Sequence, residues 1–281
     1  MRTQTTRVRA GRFAVAAAGL LVGFLALCTN GSHAQLVAPG PSGVAMGHLH
    51  LGTKDAEASR KFWAAMGGVP VQNGALQLIQ VPGTFVMLRQ TQQLDGGTEG
   101  STIERVSFRT RSFAELFPAL EQALGSKLSS PMFASPEGVA IEIRGGTSMD
   151  TLIRLDVVLF RTTAPAETRD WYVKTFGAEP RSGSPGISGA GATTVPGAVL
   201  PGVTLSFAKA DTAPAGTRGR GLDHIGFEVK NLEEFCKKLE AAGQKFDRPY
   251  GKLPNSQTAI AFLTDPWGTY IELTENLAPP K

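Results

Sequence analysis

Little in this chain is suited to cross-linking or to charge-driven binding. It has two cysteines, Cys28 and Cys236, in 281 residues. Loss of an N-terminal leader would remove the first, leaving one thiol and no intramolecular disulfide. Cys236 lies beside the apolar stripe of Leu232-Glu233-Glu234-Phe235-Cys236-Lys237-Lys238-Leu239, where a free thiol reads as buried filler. Excess charge is also missing. The formal +4 comes from Arg2, Arg7, Arg9 and Arg12, four of the 28 basic residues, in a stretch 1–34 without an acidic one. The remaining 24 basic side chains face 24 acidic ones, which gives a nucleic-acid partner no electrostatic support. Histidine is rare as well: beyond residue 34 there are only His48, His50 and His224. After the N-terminus no apolar run is long enough to span a bilayer.

Residues 1–34 read as a signal peptide. The arginines make a positive n-region, Phe13 to Leu27 is a short Gly/Ala-rich apolar core, and Ser32-His33-Ala34 supplies small residues for cleavage after Ala34. The expected product is periplasmic or secreted, with no membrane association after cleavage. A retained anchor is the alternative. Lipidation at Cys28 fits poorly, because Leu27 stands where a small residue is needed.

What is abundant is internal repetition. Gly47-His48-Leu49-His50-Leu51 leads to Phe62-Trp63, and Leu155-Asp156-Val157-Val158-Leu159 leads to Trp171-Tyr172, 109 residues later. Ile103-Glu104-Arg105-Val106-Ser107-Phe108 and Leu222-Asp223-His224-Ile225-Gly226-Phe227 open a second related pair. Ser112 with Glu115 and Asn231 with Glu234 have capping-box spacing. Gly67, Gly125, Gly177 and Gly243 mark helix ends. Ser135-Pro136-Glu137-Gly138 and Asp265-Pro266-Trp267-Gly268 are turns that lead into closing strands. Four modules therefore start near residues 46, 103, 153 and 222. Residues 44–146 and 152–276 form two halves, with linkers at 35–43 and 147–151 and a tail at 277–281. Gly/Pro/Ala/Ser-rich Ser182 to Gly202 reads as a loop in the third module.

Strand alternation separates the two faces. Ile225, Phe227 and Val229 share an apolar face that packs under a helix, opposite His224, Gly226 and Glu228. His48 and His50 fall together on the second kind of face, and Tyr270 and Glu272 oppose Ile271 and Leu273. Leu155, Val157 and Leu159 make the corresponding face of the third module apolar, which suits a hydrophobic ligand rather than an ion.

Over residues 44–276 the chain resembles the vicinal oxygen chelate superfamily of glyoxalases, extradiol dioxygenases, epimerases and bleomycin-resistance proteins. Leu222-Asp223-His224-Ile225 and Asp265-Pro266-Trp267-Gly268-Thr269-Tyr270-Ile271-Glu272-Leu273 carry most of the likeness. The resemblance implies an α+β fold: four βαβββ modules forming two cup-shaped mixed sheets with helices outside, and a divalent metal on a cup floor. The first-strand ligand positions fall on His48, Arg105, Val157 and His224, and the last-strand carboxylates on Glu142 and Glu272. Pairing of adjacent modules would give two poor sites, since Arg105 repels a cation and Val157 offers no donor. Pairing module one with four and two with three gathers His48, His224 and Glu272 in one cup and leaves an Arg105–Glu142 ion pair in the other. The exchanged pairing is the favoured one. Phe85-Val86-Met87-Leu88-Arg89, where glyoxalases place a fourth, acidic ligand, contains none.

The expected function is a divalent-metal enzyme, dioxygenase- or lyase-like, acting on a small molecule with vicinal oxygens. Fe, Mn, Zn and Ni are not distinguished. His50 and Glu228 are the expected catalytic acid–base groups, and Tyr250 and Tyr270 the expected substrate contacts. The rival is a metal-free small-molecule-sequestering protein of bleomycin-resistance type. A structural exported domain has no sequence feature in its favour. Either a monomer or a homodimer is compatible with the sequence.

Overall fold

The computed structural model describes residues 36–146, 148–186 and 194–279. The leader read in residues 1–34, including Cys28, lies outside the described residues. Among the described residues no helix is long and apolar enough to cross a membrane.

Module one comprises β1 (Val44–Thr53), α1 (Ala56–Ala65), β2 (Val69–Asn73), β3 (Leu76–Val81) and β4 (Thr84–Gln90). Module two comprises β5 (Ile103–Thr110), α2 (Phe113–Leu124), β6 (Met132–Ala134) and β7 (Ala140–Gly145). Module three runs through β8 (Ile153–Thr162), α3 (Pro165–Phe176), β9 (Glu179–Pro185), β10 (Thr194–Leu200) and β11 (Val203–Lys209). Module four runs through β12 (Leu222–Val229), α4 (Leu232–Ala241), β13 (Arg248–Lys252), β14 (Ala259–Thr264) and β15 (Tyr270–Glu275). The fold is thus α+β, with two corrections to the expected pattern. Module two has one strand fewer than βαβββ, so its sheet has seven strands. The described parts of Ser182–Gly202 are not all loop: β9 and β10 pair antiparallel there, and residues 187–193 lie outside the described residues.

The sheets do not follow the sequence halves. The eight-stranded sheet has the order β13-β14-β15-β12-β1-β4-β3-β2 and joins module four to module one. The seven-stranded sheet, β6-β7-β5-β8-β11-β10-β9, joins modules two and three. Antiparallel pairs β1–β12 and β5–β8 form the two module junctions.

Each junction carries two bulges at equivalent places in the repeat. In β1 Gly47 is the extra residue between Met46, opposite Phe227, and His48, opposite Gly226. Its equivalent in β8 is Asp156. In β12 Asp223 is extra, and in β5 Glu104. A bulge adds one residue and switches the faces beyond it. Met46 therefore reaches the apolar core although strict alternation would align it with His48. The bulge in β8 likewise sends Leu155 to that core, away from Val157 and Leu159, with which it had been grouped.

The apolar faces of both sheets meet in one core. Trp63 of α1 lies 6.1 Å from Phe108 of β5, and Phe176 of α3 lies 4.9 Å from Phe227 of β12, ring centre to ring centre. Tyr172 adds a polar tie: its hydroxyl donates to Asp265 Oδ2 at 2.9 Å. Asp265 Oδ1 also accepts from the Trp267 and Thr269 amides, which fixes the turn before β15. Cys236 is buried, and burial pushes its thiol up to about 12, in keeping with a filler role.

Ser112 caps α2 through the Glu115 amide, and Gly125 ends it in the left-handed region. The capping box read at Asn231 is absent. Asn231 is left-handed at φ 56° and its side chain caps nothing. The Glu275 carboxylate substitutes, accepting from the Asn231 amide at 3.0 Å and the Leu232 amide at 3.4 Å. Glu275→Ala is expected to cost about 1 kcal/mol, the usual worth of an N-cap. Asn231→Gly should be neutral or better, because glycine enters the left-handed region freely. Denaturant midpoints check both; equal losses would contradict this assignment.

Candidate metal centre

The β1–β12 register places His50 directly opposite His224, and His48 opposite Gly226. The parallel β12–β15 register places Glu272 beside Gly226 on the other flank. Three adjacent strands therefore present side chains from residues 48, 224 and 272 on one face. His48 Nε2 and His224 Nε2 each lie 2.9 Å from the same Glu272 oxygen, Oε2. One donor atom from each of His48, His50, His224 and Glu272 falls within 4.8 Å of the others. The convergence expected for His48, His224 and Glu272 is present, and His50 joins it. His48, His224 and Glu272 are buried, whereas His50 is half-buried.

Glycine makes room for this. An ideal Cβ on Gly226 would lie 2.0 Å from His48 Cε1 and 2.1 Å from Nδ1. The His48 imidazole occupies the space a side chain at 226 would fill. No backbone torsion is involved; the requirement is close approach alone.

Asp223, which sequence reading left without a role, orients His224. Strand alternation assigns it to the apolar face, and the bulge redirects it. Its Oδ1 lies 2.7 Å from His224 Nδ1, and its Oδ2 accepts from the Gly219 amide at 2.8 Å. His224 thus has carboxylate oxygens at both ring nitrogens. A neutral ring carries one N–H and cannot satisfy both. Burial opposes protonation, but the bonds to Asp223 and Glu272 outweigh it and raise the His224 pKa. Burial likewise works against ionised Asp223 and Glu272. His224 and the Gly219 amide nevertheless keep Asp223 low, and His48 and His224 keep Glu272 well below the carboxylate range. His50 goes the other way: burial, then the neighbouring His224 and His48 rings, push it down to about 3. It is a neutral imidazole at ordinary pH.

The arrangement fits a divalent cation. Nδ1 atoms of both His48 and His50 are buried and lack a hydrogen-bond partner. A cation among the Nε2 atoms would also remove the conflict at His224, leaving Nδ1–H to donate to Asp223. A carboxylate behind a ligating imidazole fixes its tautomer in this way.

The other proposed site residues are distributed differently. The Tyr270 ring stands edge-on to His224 at 5.4 Å and stacks on Phe262 at 5.2 Å. Tyr250 does not reach the cluster; it lies on edge strand β13 and packs against the core. Glu228 is also outside the group, since its carboxyl accepts from Thr274 Oγ1 at 2.7 Å and the Leu277 amide at 3.3 Å. The second sheet is unsuited to a cation. Buried Arg105 places Nε 3.1 Å from Glu142 Oε2, and its Nη2 donates to the Gly186 carbonyl at 2.7 Å. Ser107 donates to the same Glu142 oxygen at 2.6 Å, and Val157 lies opposite Ser107.

Residues 154–273 match the Glyoxalase/Bleomycin resistance protein/Dioxygenase superfamily model. The chain carries a domain of this superfamily. The matched stretch contains His224 and Glu272 but not His48 or His50. Over 57 residues the chain is 39% identical to a lactoylglutathione lyase from Escherichia coli O157:H7, covering 20% of this chain and 42% of that one. A probable lactoylglutathione lyase from Synechocystis is 37% identical over 57 residues, 44% of its length. The match spans less than half of either relative. Glyoxalase I from Zea mays shares the fold at a TM-score of 0.62 and 15% identity, over 83% of this chain and 92% of that one. A putative dioxygenase from Bacillus subtilis does so at 0.58 and 14%, over 88% and 87%.

Two outcomes follow from this geometry. Gly226→Ala should drive the His48 ring off Glu272, with overpacking costing about 1–3 kcal/mol. A crystal structure of the variant with His48 unmoved would contradict the cradle. Burial raises the Glu228 pKa to about 7 from 4.5. The folded state then holds the proton more tightly than the unfolded chain, so this group's contribution is complete below pH 4.5 and is lost as pH rises through 7. The loss is on the order of 3 kcal/mol at one pKa unit per 1.36 kcal/mol. Glu228→Gln should flatten the stability profile between pH 5 and 8 in urea titrations.

Proposed function

We propose that this protein is an exported divalent-metal enzyme whose metal is held by His48, His224 and Glu272 and whose substrate is a small organic molecule presenting two adjacent oxygens. The convergence of these three buried side chains from three neighbouring strands carries the reading. Two imidazoles and one carboxylate leave positions open to a substrate, the pattern of non-haem metal oxygenases and related enzymes. When bound, the ion supplies Lewis acidity toward a substrate oxygen. The chain's own groups do the rest. Asp223 accepts a hydrogen bond from His224 Nδ1–H and so leaves the Nε2 lone pair free for the ion. The half-buried Phe262 and Tyr270 rings form an apolar wall beside His224. The superfamily match over residues 154–273 and the fold shared with a glyoxalase I and a putative dioxygenase support an enzyme but do not select the reaction, since one fold hosts many chemistries. Export rests on the arginines and apolar core of residues 1–34.

Metal analysis of the purified protein tests the reading. One divalent ion per chain is expected, lost on His224→Ala. Asp223→Asn should weaken binding about 10–100-fold, as for other partners behind a ligating histidine. Affinity should rise with pH, because a raised His224 pKa makes the proton a competitor. A wild-type protein that takes up no metal but binds small aromatic molecules would point to the sequestering alternative.

A further inference from the structure

The two strand pairs that flank the centre are related by the repeat, and one position breaks the relation. In module four Glu272 stands beside Gly226, two residues after His224. In module one the equivalent place, beside His50 and two residues after His48, is held by Met87. A symmetric site would have a second carboxylate there. Instead the neighbouring strand supplies His50, whose ring centre is 4.4 Å from that of His224 and whose Nδ1 is buried without a partner. One ring nitrogen of His50 lies within 4.8 Å of a donor atom on each of His48, His224 and Glu272, a spacing that suits a ligand.

The exchange alters charge. Three neutral imidazoles and one carboxylate leave a divalent ion with a net +1, where two carboxylates would leave it neutral. Around the open side two guanidiniums add to this. Arg218 lies over the Tyr270 ring, 4.0 Å from its centre, and Arg89 lies 3.5 Å from Asp223 Oδ2 with its side chain 48% exposed. Asp223 balances Arg89, whereas among the described residues no carboxylate lies within ion-pair distance of Arg218.

We propose that His50 is the fourth metal ligand, in the place of the carboxylate missing at Met87, and that the positive charge this leaves selects a bidentate organic anion, such as a 2-oxo or 2-hydroxy carboxylate, as the substrate. This rests on the metal-site reading above. It assigns His50 to the metal rather than to proton transfer, and Arg218 to the free end of the anion.

The test uses metal-depleted full-length mature protein reloaded with Zn(II) for affinity and Cu(II) for spin-echo spectroscopy. His50→Ala should weaken Zn(II) binding at least 10-fold and lower the count of coupled imidazoles from three to two. Adding Met87→Glu to that variant should restore affinity. Unchanged affinity and imidazole count in His50→Ala would overturn the ligand assignment. Failure of wild-type protein to bind either metal would instead overturn the reading beneath it. On Zn(II)-loaded protein, oxalate should bind at least 10-fold more tightly than its neutral diamide, oxamide. Arg218→Gln should remove most of that preference and should not weaken Zn(II) binding. Equal binding of oxalate and oxamide would overturn the anion assignment.

Discussion

The antiparallel pairing of β1 with β12 is the contact on which the centre depends. It joins residues almost 180 positions apart, sets His50 against His224, and lays the His48 ring over Gly226. Such a long-range ladder is costly in chain entropy, and it is held by the shared core beneath it. Met46, Leu49, Phe227 and Phe176 pack there, on the side away from the histidines. The bulges at Gly47 and Asp223 reconcile the two demands. Without them the apolar residues at the start of β1 would stand on the histidine face, and Asp223 would point away from His224.

The same architecture built a second, different face from the equivalent positions. His224 and Glu272 correspond to Arg105 and Glu142, and His48 corresponds to Val157. A guanidinium in place of an imidazole turns a cation-binding set into a buried ion pair, with Ser107, Gly186 and Arg144 as its further partners. Burial of that pair stabilises little by itself, because desolvation offsets most of the attraction. Removing one partner would be damaging. One half of the repeat thus presents converging imidazoles and a carboxylate, and the other holds a guanidinium against its carboxylate.

Legibility in the sequence varied with the range of the interaction. The four modules were readable because repeated strand and turn signatures are local. Ser135–Gly138 and Asp265–Gly268 close as turns with 2.8 and 3.1 Å hydrogen bonds, as their residue types imply. The helix does start at Asn231, but its capping box misled, since the cap comes from Glu275, 44 residues on. Ser182–Gly202 misled in its described parts, which pair as strands β9 and β10. Asp223 was missed because period-two alternation cannot announce an extra residue in the strand.

By itself the sequence determined the module count, the apolar and polar faces of most strands, and the few residue types able to hold a cation, because these follow from periodicity and side-chain chemistry. Which modules share a sheet was decided only by tertiary packing. Adjacent and exchanged pairings satisfy the same local patterns, and only the shared core and the β1–β12 ladder distinguish them. That choice, together with the bulges, brought His48 to Glu272, added His50 and Asp223 to the centre, and left Tyr250 and Glu228 outside it.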